Sequence, residues 1–204
     1  MKTLGISSQT AIRCAQSSKD AYDSYTIKGS RTDTEALIKY YCDQTVVAVR
    51  GTSSYKDVKQ DMKRMQKDTK HGDMHLGFRQ CAMEVFSRVM SKLAKTKAPV
   101  VFTGHSLGGA VAQILSTMYP GECSCVTFGS PRVGDKDFCN YLIKCTDSKL
   151  LLVEHELDRV PWVPFFGYAK PKSYIKKVWN WRVWITSAHS IDNYIRLTEK
   201  LVLG

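Results

Sequence analysis

Apolar residues recur along the chain at two spacings, one typical of helices and one typical of strands. From Phe78 to Leu93 they fall three or four positions apart, and the same spacing returns between Ser106 and Tyr119, which predicts two amphipathic helices. Shorter apolar runs, typical of buried parallel strands, separate and follow these helices. They cover residues 99–103, 125–128 and 150–153, with a polar helical stretch over 135–145 between the last two. Because strands and helices alternate, we predict an α/β fold with a central, mostly parallel sheet flanked by helices.

The two ends of the chain complete this pattern. Residues 36–50 are rich in Tyr, Ile and Val around the turn residues Asp43 and Gln44, which predicts a β-hairpin. Residues 190–202 predict a last amphipathic helix, whereas the polar stretch over 7–20 predicts little N-terminal helix to brace the sheet. No internal repeat or linker interrupts the pattern, so we predict a single domain over residues 1–204.

Composition narrows the class of protein. The chain has 204 residues, of which 43% are hydrophobic and 24% charged, the balance of a compact domain with a real core. No apolar stretch reaches the roughly 18 residues of a membrane span, and residues 1–16 lack the apolar centre of a signal peptide. We therefore expect a cytoplasmic protein, with secretion still open. Seven cysteines without a CxxC spacing predict mostly reduced structural thiols and no zinc site.

A formal net charge of +11 favours anionic partners. Nucleic acid is not expected, because the chain has no RNP, KH or zinc signature. Residues 162–184, here called the aromatic basic insert, hold all four Trp residues and five Lys or Arg without an acid. This composition predicts peripheral contact with an anionic membrane surface. The alternative is a set of core Trp rings with solvated lysines outside, since residues 179–185 alternate as a strand does.

The candidate chemistry centres on the sequence Gly-His-Ser-Leu-Gly over residues 104–108. This G-x-S-x-G pattern stands between a predicted strand and a predicted helix, the context in which a sharp turn presents a serine hydroxyl as a nucleophile. Gly104 and Gly108 suit that turn, because side chains would collide there. We therefore predict Ser106 as the nucleophile, with Gly104 and Gly108 forming its elbow.

An activated serine needs a base, and in this fold class the partners follow in the order Ser, acid, His. His155 and His189 are the two histidines that follow Ser106 in the chain. We favour His189, since His155 would require an earlier acid such as Asp135 or Asp147.

The orienting acid is expected where a strand of the sheet ends. Asp158 follows the apolar run over 150–153 and stands in a loop, where the sites of α/β sheets gather. Its rivals Glu154 and Glu156 flank His155 in strand alternation and are expected to be solvated. We predict Asp158 as the acid; the alternative is that it pairs with a neighbour or caps a turn.

Six short blocks of the sequence lie over roughly residues 33–202. They are Arg-Gly-Thr-Ser at 50–53, His-Leu-Gly-Phe at 75–78, Gly-His-Ser-Leu-Gly-Gly at 104–109, Thr-Phe-Gly-Ser-Pro-Arg-Val-Gly at 127–134, Asp-Arg-Val-Pro at 158–161, and His189 before a final helix. Taken together and in this order, the blocks resemble those of the fungal-type class 3 lipases of the α/β-hydrolase fold.

The resemblance implies a serine ester hydrolase that works through an acyl-enzyme. Ser106 would be the nucleophile, His189 the general base and Asp158 its orienter. An oxyanion hole needs two donors, and the backbone N–H of Leu107, directly after the nucleophile, is expected to supply one. In the family the second comes from the residue after Arg-Gly, which is Thr52. We expect neither a cofactor nor a metal.

Family lipases carry a lid between the Arg-Gly-Thr and His-x-Gly-Phe blocks, and residues 53–74 occupy that place. Apolar residues are few there among many charges, so we predict a short helical lid with weak interfacial activation. His75 and Arg132 of the family blocks are expected to have structural roles. His105, beside the nucleophile, is expected to pack.

Three functions remain open at the level of the sequence. A hydrolase of glycerolipid acyl esters is favoured, because nucleophile, base, acid and both oxyanion positions are present. An esterase for small soluble or aryl esters, such as feruloyl esters, is the alternative within enzymes and would tolerate a polar lid. A catalytically silent protein that binds anionic lipid is the alternative outside enzymes.

Overall fold

The computed structural model describes residues 5–51, 66–67, 70–171, 175–178 and 188–203 of the chain. Five helices lie within these residues: α1 (Ser8–Asp20), α2 (Leu76–Leu93), α3 (Leu107–Met118), α4 (Lys136–Cys145) and α5 (Ile191–Leu203). The strands described are β1 (Ile27–Lys28), β2 (Glu35–Tyr40), β3 (Thr45–Val49), β4 (Gln66–Lys67), β5 (Met74–His75), β6 (Val100–His105), β7 (Cys123–Phe128), β8 (Leu150–His155) and β9 (Ile175–Val178).

Seven of these strands form one mixed sheet in the order β1-β2-β3-β6-β7-β8-β9. The first three pair antiparallel, and all pairs from β3 to β9 are parallel. β2 and β3 form the predicted hairpin, in which Ala36 lies opposite Val49 and Tyr40 opposite Thr45. β4 and β5 form a separate antiparallel pair. The predicted α/β fold with a mostly parallel central sheet is therefore confirmed. Because β6, β7 and β8 run parallel, their carboxyl ends lie at the same edge of the sheet.

Helices cover both faces of the sheet, which explains why the residues of its central strands are almost all buried. On one face, α2, α3 and α4 pack Phe78, Leu115 and Phe138 against Phe102 of β6. On the other face, the buried residues come from α1, α5 and the opposite sides of the same strands. They include Ala11, Cys14, Val101, Phe128, Tyr194 and Leu197.

The expectation of little N-terminal helix is wrong. α1 runs over 13 residues, and the Ser7 side chain caps it by accepting a hydrogen bond from the Thr10 N–H at 3.0 Å. Its buried stripe consists of small side chains such as Ala11, Cys14 and Ala15, which let the helix lie close to the sheet. Ser18 is also buried, where its hydroxyl lies 3.1 Å from that of Thr103. A stripe of small and hydroxyl residues carries little hydrophobic signal, so the sequence pattern did not predict this helix.

Several predictions concern segments only partly described. Of the predicted lid over 53–74, residues 66–67 and 70–74 are described, and the rest of the predicted helix lies outside the described residues. The alternating stretch over 179–185 also lies outside them. None of the helices described is both long and apolar enough to cross a membrane. All seven cysteines are free thiols, and the described residues contain no cluster of three metal-ligating side chains.

Candidate active site

The turn between β6 and α3 carries the predicted nucleophile. Ser106 stands between the last residue of the strand and the first of the helix, with φ of 56° and ψ of −129°. This left-handed backbone conformation is strained for a residue with a Cβ and persists only where the surroundings impose it. It is the conformation of a nucleophile elbow, which lifts a serine hydroxyl away from the sheet.

Gly104 and Gly108 make the elbow sterically possible. A Cβ on Gly104 would lie 2.4 Å from the backbone carbonyl group of Gly108, and one on Gly108 would lie 2.1 Å from the carbonyl oxygen of Val49. No side chain can be accommodated at either distance, since real Cβ contacts start above 3 Å. The two glycines therefore let β6, α3 and β3 approach each other directly beneath Ser106.

The structure brings Ser106, His189 and Asp158 into one hydrogen-bonded chain. The Ser106 Oγ lies 2.8 Å from His189 Nε2, and His189 Nδ1 lies 2.7 Å from Asp158 Oδ2. Because a carboxylate only accepts, Nδ1 carries the proton, and Nε2 is left to accept from the serine hydroxyl. This is the tautomer in which an imidazole acts as a general base toward a serine. Ser106 itself is fully buried, and the His189 side chain is 23% exposed.

Asp158 is held by more than the histidine. Its side chain is almost completely buried, and its Oδ1 accepts the Val160 N–H at 2.9 Å. Its Oδ2 accepts a second hydrogen bond from the Tyr194 hydroxyl at 2.7 Å. Tyr194, on α5, in turn accepts the His155 N–H at 3.2 Å. Burial and its proximity to Asp158 raise the pKa of Tyr194 well above its ordinary value, so the hydroxyl stays a donor.

His105 is a second histidine at the site. Its Nε2 lies 2.7 Å from the backbone carbonyl oxygen of His189, and its Nδ1 lies 2.8 Å from the Tyr22 hydroxyl. A carbonyl oxygen only accepts, so Nε2 carries the proton and Tyr22 donates to Nδ1. Burial, and next the charge of His189, lowers the pKa of His105 to about 3, which keeps the ring neutral. The residue expected only to pack also ties the backbone of His189 to Tyr22.

The rival candidates lie elsewhere. His155 is buried, and its Nδ1 accepts the Leu157 N–H at 3.1 Å, so it serves the turn after β8 rather than Ser106. Glu154 is buried and paired with Lys170 at 2.7 Å, contrary to the expectation that it is solvated, because its strand lies inside the sheet. Glu156 is exposed, as expected.

The two acids that would have served His155 are also accounted for. Asp135 caps α4 by accepting the Phe138 N–H at 2.8 Å. Asp147 is a surface residue, 3.5 Å from the Lys149 ammonium. Neither arrangement points to catalysis.

One of the two predicted donors of the oxyanion hole lies among the described residues. Leu107 is the first residue of α3, and the N–H groups in the first turn of a helix have no partner within the helix, so this donor is available beside Ser106. Thr52 lies outside the described residues. The preceding Gly51 is described, and a Cβ there would lie 2.4 Å from both the His105 carbonyl oxygen and the Tyr22 hydroxyl. The Arg-Gly turn therefore packs directly against the elbow.

The two remaining block residues have structural contacts. His75 caps α2, where its Nδ1 accepts the Phe78 N–H at 3.4 Å and its ring stacks on that of Phe78 at 4.1 Å between centroids. Arg132 donates through Nη1 to the carbonyl oxygens of Phe165 and Tyr168 at 3.4 and 3.3 Å. Both roles agree with the structural expectation.

The fold is that of the α/β-hydrolases, and Ser106, His189 and Asp158 have the geometry that a serine triad requires. Residues 46–168 match the lipase (class 3) family, and the chain belongs to that family.

Relatives and solved structures agree with this family. The chain is 34% identical to secreted mono- and diacylglycerol lipase 1 of Fusarium solani over 167 residues, which are 72% of this chain and 49% of that protein. It is 36% identical to phospholipase A1-II 1 of Oryza sativa subsp. indica over 89 residues, 40% of this chain and 23% of that protein. The crystal structure of a lipase from Rhizopus microsporus var. chinensis matches with a TM-score of 0.63 at 27% identity, over 87% of this chain and 73% of that one. The chain spans about half or less of the length of these curated relatives.

Proposed function

We propose that this chain hydrolyses acyl esters of glycerolipids through an acyl-enzyme intermediate. The observation that carries the proposal is the unbroken chain from Ser106 to His189 at 2.8 Å and from His189 to Asp158 at 2.7 Å, built on a strained elbow. These distances fall within hydrogen-bond reach of a nucleophile, its base and the orienter of the base, which is the geometric requirement for nucleophilic catalysis by serine.

Acylation begins when the Ser106 oxygen attacks the ester carbonyl carbon and its proton passes to His189 Nε2. The carbonyl oxygen becomes an oxyanion, which the N–H of Leu107 stabilises together with that of Thr52. Collapse of this intermediate breaks the bond to the alcohol oxygen, and His189 returns the proton to that oxygen. The alcohol leaves, and the acyl group remains on Ser106.

Deacylation repeats these steps with water. His189 takes a proton from water as the water oxygen attacks the acyl carbon, and the same Leu107 donor faces the new oxyanion. Collapse of this intermediate breaks the bond between the acyl carbon and the Ser106 oxygen, His189 returns the proton to that oxygen, and the carboxylic acid leaves. Asp158 stays ionised throughout, holding the Nδ1–H of His189 and stabilising the imidazolium that forms twice in the cycle.

Glycerolipids are the proposed substrate class because the chain's relatives include proteins named as mono- and diacylglycerol lipases and as phospholipase A1. The polar composition of residues 53–74 favours the second candidate, an esterase for small soluble or aryl esters. The two candidates share the triad and differ in what must reach it.

A fluorophosphonate probe tests the enzyme class. We expect covalent labelling of the chain and none in Ser106→Ala; an unlabelled native chain would favour the silent lipid-binding alternative. A panel of glycerol esters and soluble aryl esters of graded acyl length tests the substrate class. Hydrolysis of long-chain glycerolipid emulsions supports the proposal, whereas turnover confined to short or aryl esters would replace it with the second candidate.

A further inference from the structure

The loop that leaves the active site exposes large aromatic side chains. Residues 162–168, here called the aromatic loop, begin four positions after Asp158. The exposed fractions of Trp162, Phe165 and Phe166 are 42%, 57% and 95%. The other large hydrophobic residues exposed in the described part of the chain stand singly rather than in such a run. Neighbouring exposed aromatic rings mark interaction surfaces in proteins, because leaving them in water is unfavourable.

The aromatic loop is held in place from below. The Val163 carbonyl oxygen accepts the Arg132 N–H at 2.9 Å, and the Ala169 N–H donates to the Gly134 carbonyl oxygen at 2.8 Å. Between these two anchors, the Arg132 guanidinium donates to two loop carbonyl oxygens and lies 5.4 Å from the centre of the Phe165 ring. A partner therefore meets a loop whose backbone is already anchored, so less conformational freedom is lost on binding.

Charge decides which partner fits. From Arg159 to His189 the sequence holds six Lys or Arg and no acid, within a chain of net charge +11. Arg159 is exposed, whereas the Lys170 ammonium, 5.6 Å from the centre of the Trp162 ring, is paired with Glu154. Exposed rings in a basic stretch of the sequence are complementary to a surface that has apolar depth below a layer of negative charge. A bilayer that contains anionic phospholipid has both properties.

We propose that the aromatic loop docks the protein on anionic phospholipid bilayers by inserting Phe165 and Phe166 among the acyl chains. Trp162 lies nearer the site and takes the headgroup level, where an indole is most favourable. The short link to Asp158 then holds the triad at the lipid surface. The inference rests on the proposed function for its purpose, but docking itself requires no hydrolysis.

Co-sedimentation with vesicles of ether-linked phospholipid tests the inference, because these lipids have no ester to cleave. The full chain is mixed with phosphatidylcholine vesicles and with vesicles that also contain phosphatidylserine. We expect preferential binding to the second kind, weakening as salt screens the charges. Phe165→Ser/Phe166→Ser should bind on the order of 100-fold more weakly, about tenfold for each ring. Tyr25→Ser/Tyr40→Ser removes two exposed rings elsewhere on the surface and is the control.

Phe166→Ser alone guards against misfolding, since this side chain is almost wholly exposed and should leave the unfolding midpoint unchanged while weakening binding about tenfold. Equal binding to neutral vesicles would overturn the choice of anionic lipid. If the loop variants do not weaken binding, or if the control variant weakens it equally, the aromatic loop is not the docking surface. Equal affinity for single-stranded RNA, or self-association that Phe166→Ser abolishes, would assign the surface to another partner. Failure of the fluorophosphonate assay with vesicle binding intact would reject only the proposed enzyme.

Discussion

At the scale of single residues, His189 and Asp158 are expected to be equally necessary for turnover, each for a different reason. His189→Ala removes the base, and Asp158→Asn keeps the shape while favouring the wrong tautomer of His189. We expect each to lower kcat by about three to four orders of magnitude on a soluble ester. Steady-state rates of both variants, with unfolding midpoints to verify the fold, check this. Near-native turnover in either one would refute its assigned role.

Tyr194 is a positioning residue for Asp158. Tyr194→Phe keeps the ring but leaves Asp158 Oδ2 and the His155 N–H each without one partner. We expect a stability loss of about 1–3 kcal/mol, because both groups are buried, and kcat about tenfold lower at nearly constant KM. Thr198→Ala is the control: it removes a buried hydroxyl from the same helix, bonded only to the Tyr194 carbonyl oxygen, and should lower stability without lowering kcat. Equal kcat in the two variants would contradict the positioning role.

His105 makes stability depend on pH. Its native pKa, lowered to about 3 chiefly by burial, lies below the ordinary 6.5 of the unfolded chain. Between these values the unfolded state binds more protons, so stability rises with pH across this window and falls on acidification. His105→Asn should flatten this dependence between about pH 7 and about pH 4.5, measured by urea unfolding. Tyr22→Phe leaves the His105 ring buried and should keep the slope of stability against pH. An unchanged slope in His105→Asn would show that other groups cause it.

At the scale of elements, one carboxylate fastens a loop to a helix. Glu84 of α2 accepts hydrogen bonds from the N–H groups of Ser30, Arg31 and Thr32 and from the Thr32 hydroxyl. The Thr32 hydroxyl is the largest cause that lowers the pKa of Glu84 to about 2, below its usual 4.5. The ionised form is therefore favoured by folding. Its contribution is complete above pH 4.5 and is lost as pH falls toward 2.

Glu84→Gln should destabilise the chain by roughly 1 kcal/mol at neutral pH, because a neutral amide accepts these donors less strongly. The difference in stability between the variant and the wild type should shrink as pH falls from 4.5 toward 2, because the wild-type carboxyl takes up its proton there. Urea unfolding at a series of pH values measures it, with the exposed Glu122→Gln as the control. A deficit that is constant with pH would mean that the charge of Glu84 does not contribute.

At the scale of the whole molecule, packing decides the reactivity of the cysteines. Burial raises the pKa of Cys14, Cys123 and Cys139 to about 12, whereas Cys42 is exposed. A thiol reacts as the thiolate, so iodoacetamide at neutral pH should modify the exposed Cys42 rapidly and the buried Cys14, Cys123 and Cys139 slowly. Mass spectrometry should locate the adducts and show all seven sites modified in urea. Rapid adducts at Cys14, Cys123 or Cys139 in the native chain would contradict the packing of the core.

The sequence alone determined the elements whose signal is short in range. The G-x-S-x-G turn between an apolar run and a helical stripe marked Ser106, and the order of residues along the chain favoured His189 over His155. These inferences were possible because strand, turn and helix preferences depend on neighbours within a few positions. Asp158 is predicted on the same local basis, because it stands in a loop just after an apolar run, and the family blocks agree with that choice.

Only the tertiary structure decided which groups support the triad. Tyr22 lies 83 positions before its partner His105, and Tyr194 lies 36 positions after Asp158. No local pattern distinguishes Tyr194 from any other tyrosine on a buried helix face, or Tyr22 from any other tyrosine in a turn. The sequence did not predict α1 for a related reason: its small side chains are stabilised by close contact with a sheet that is built from distant residues. Residues far apart in the sequence form such a hydrogen-bond network only because the packed chain places them next to each other.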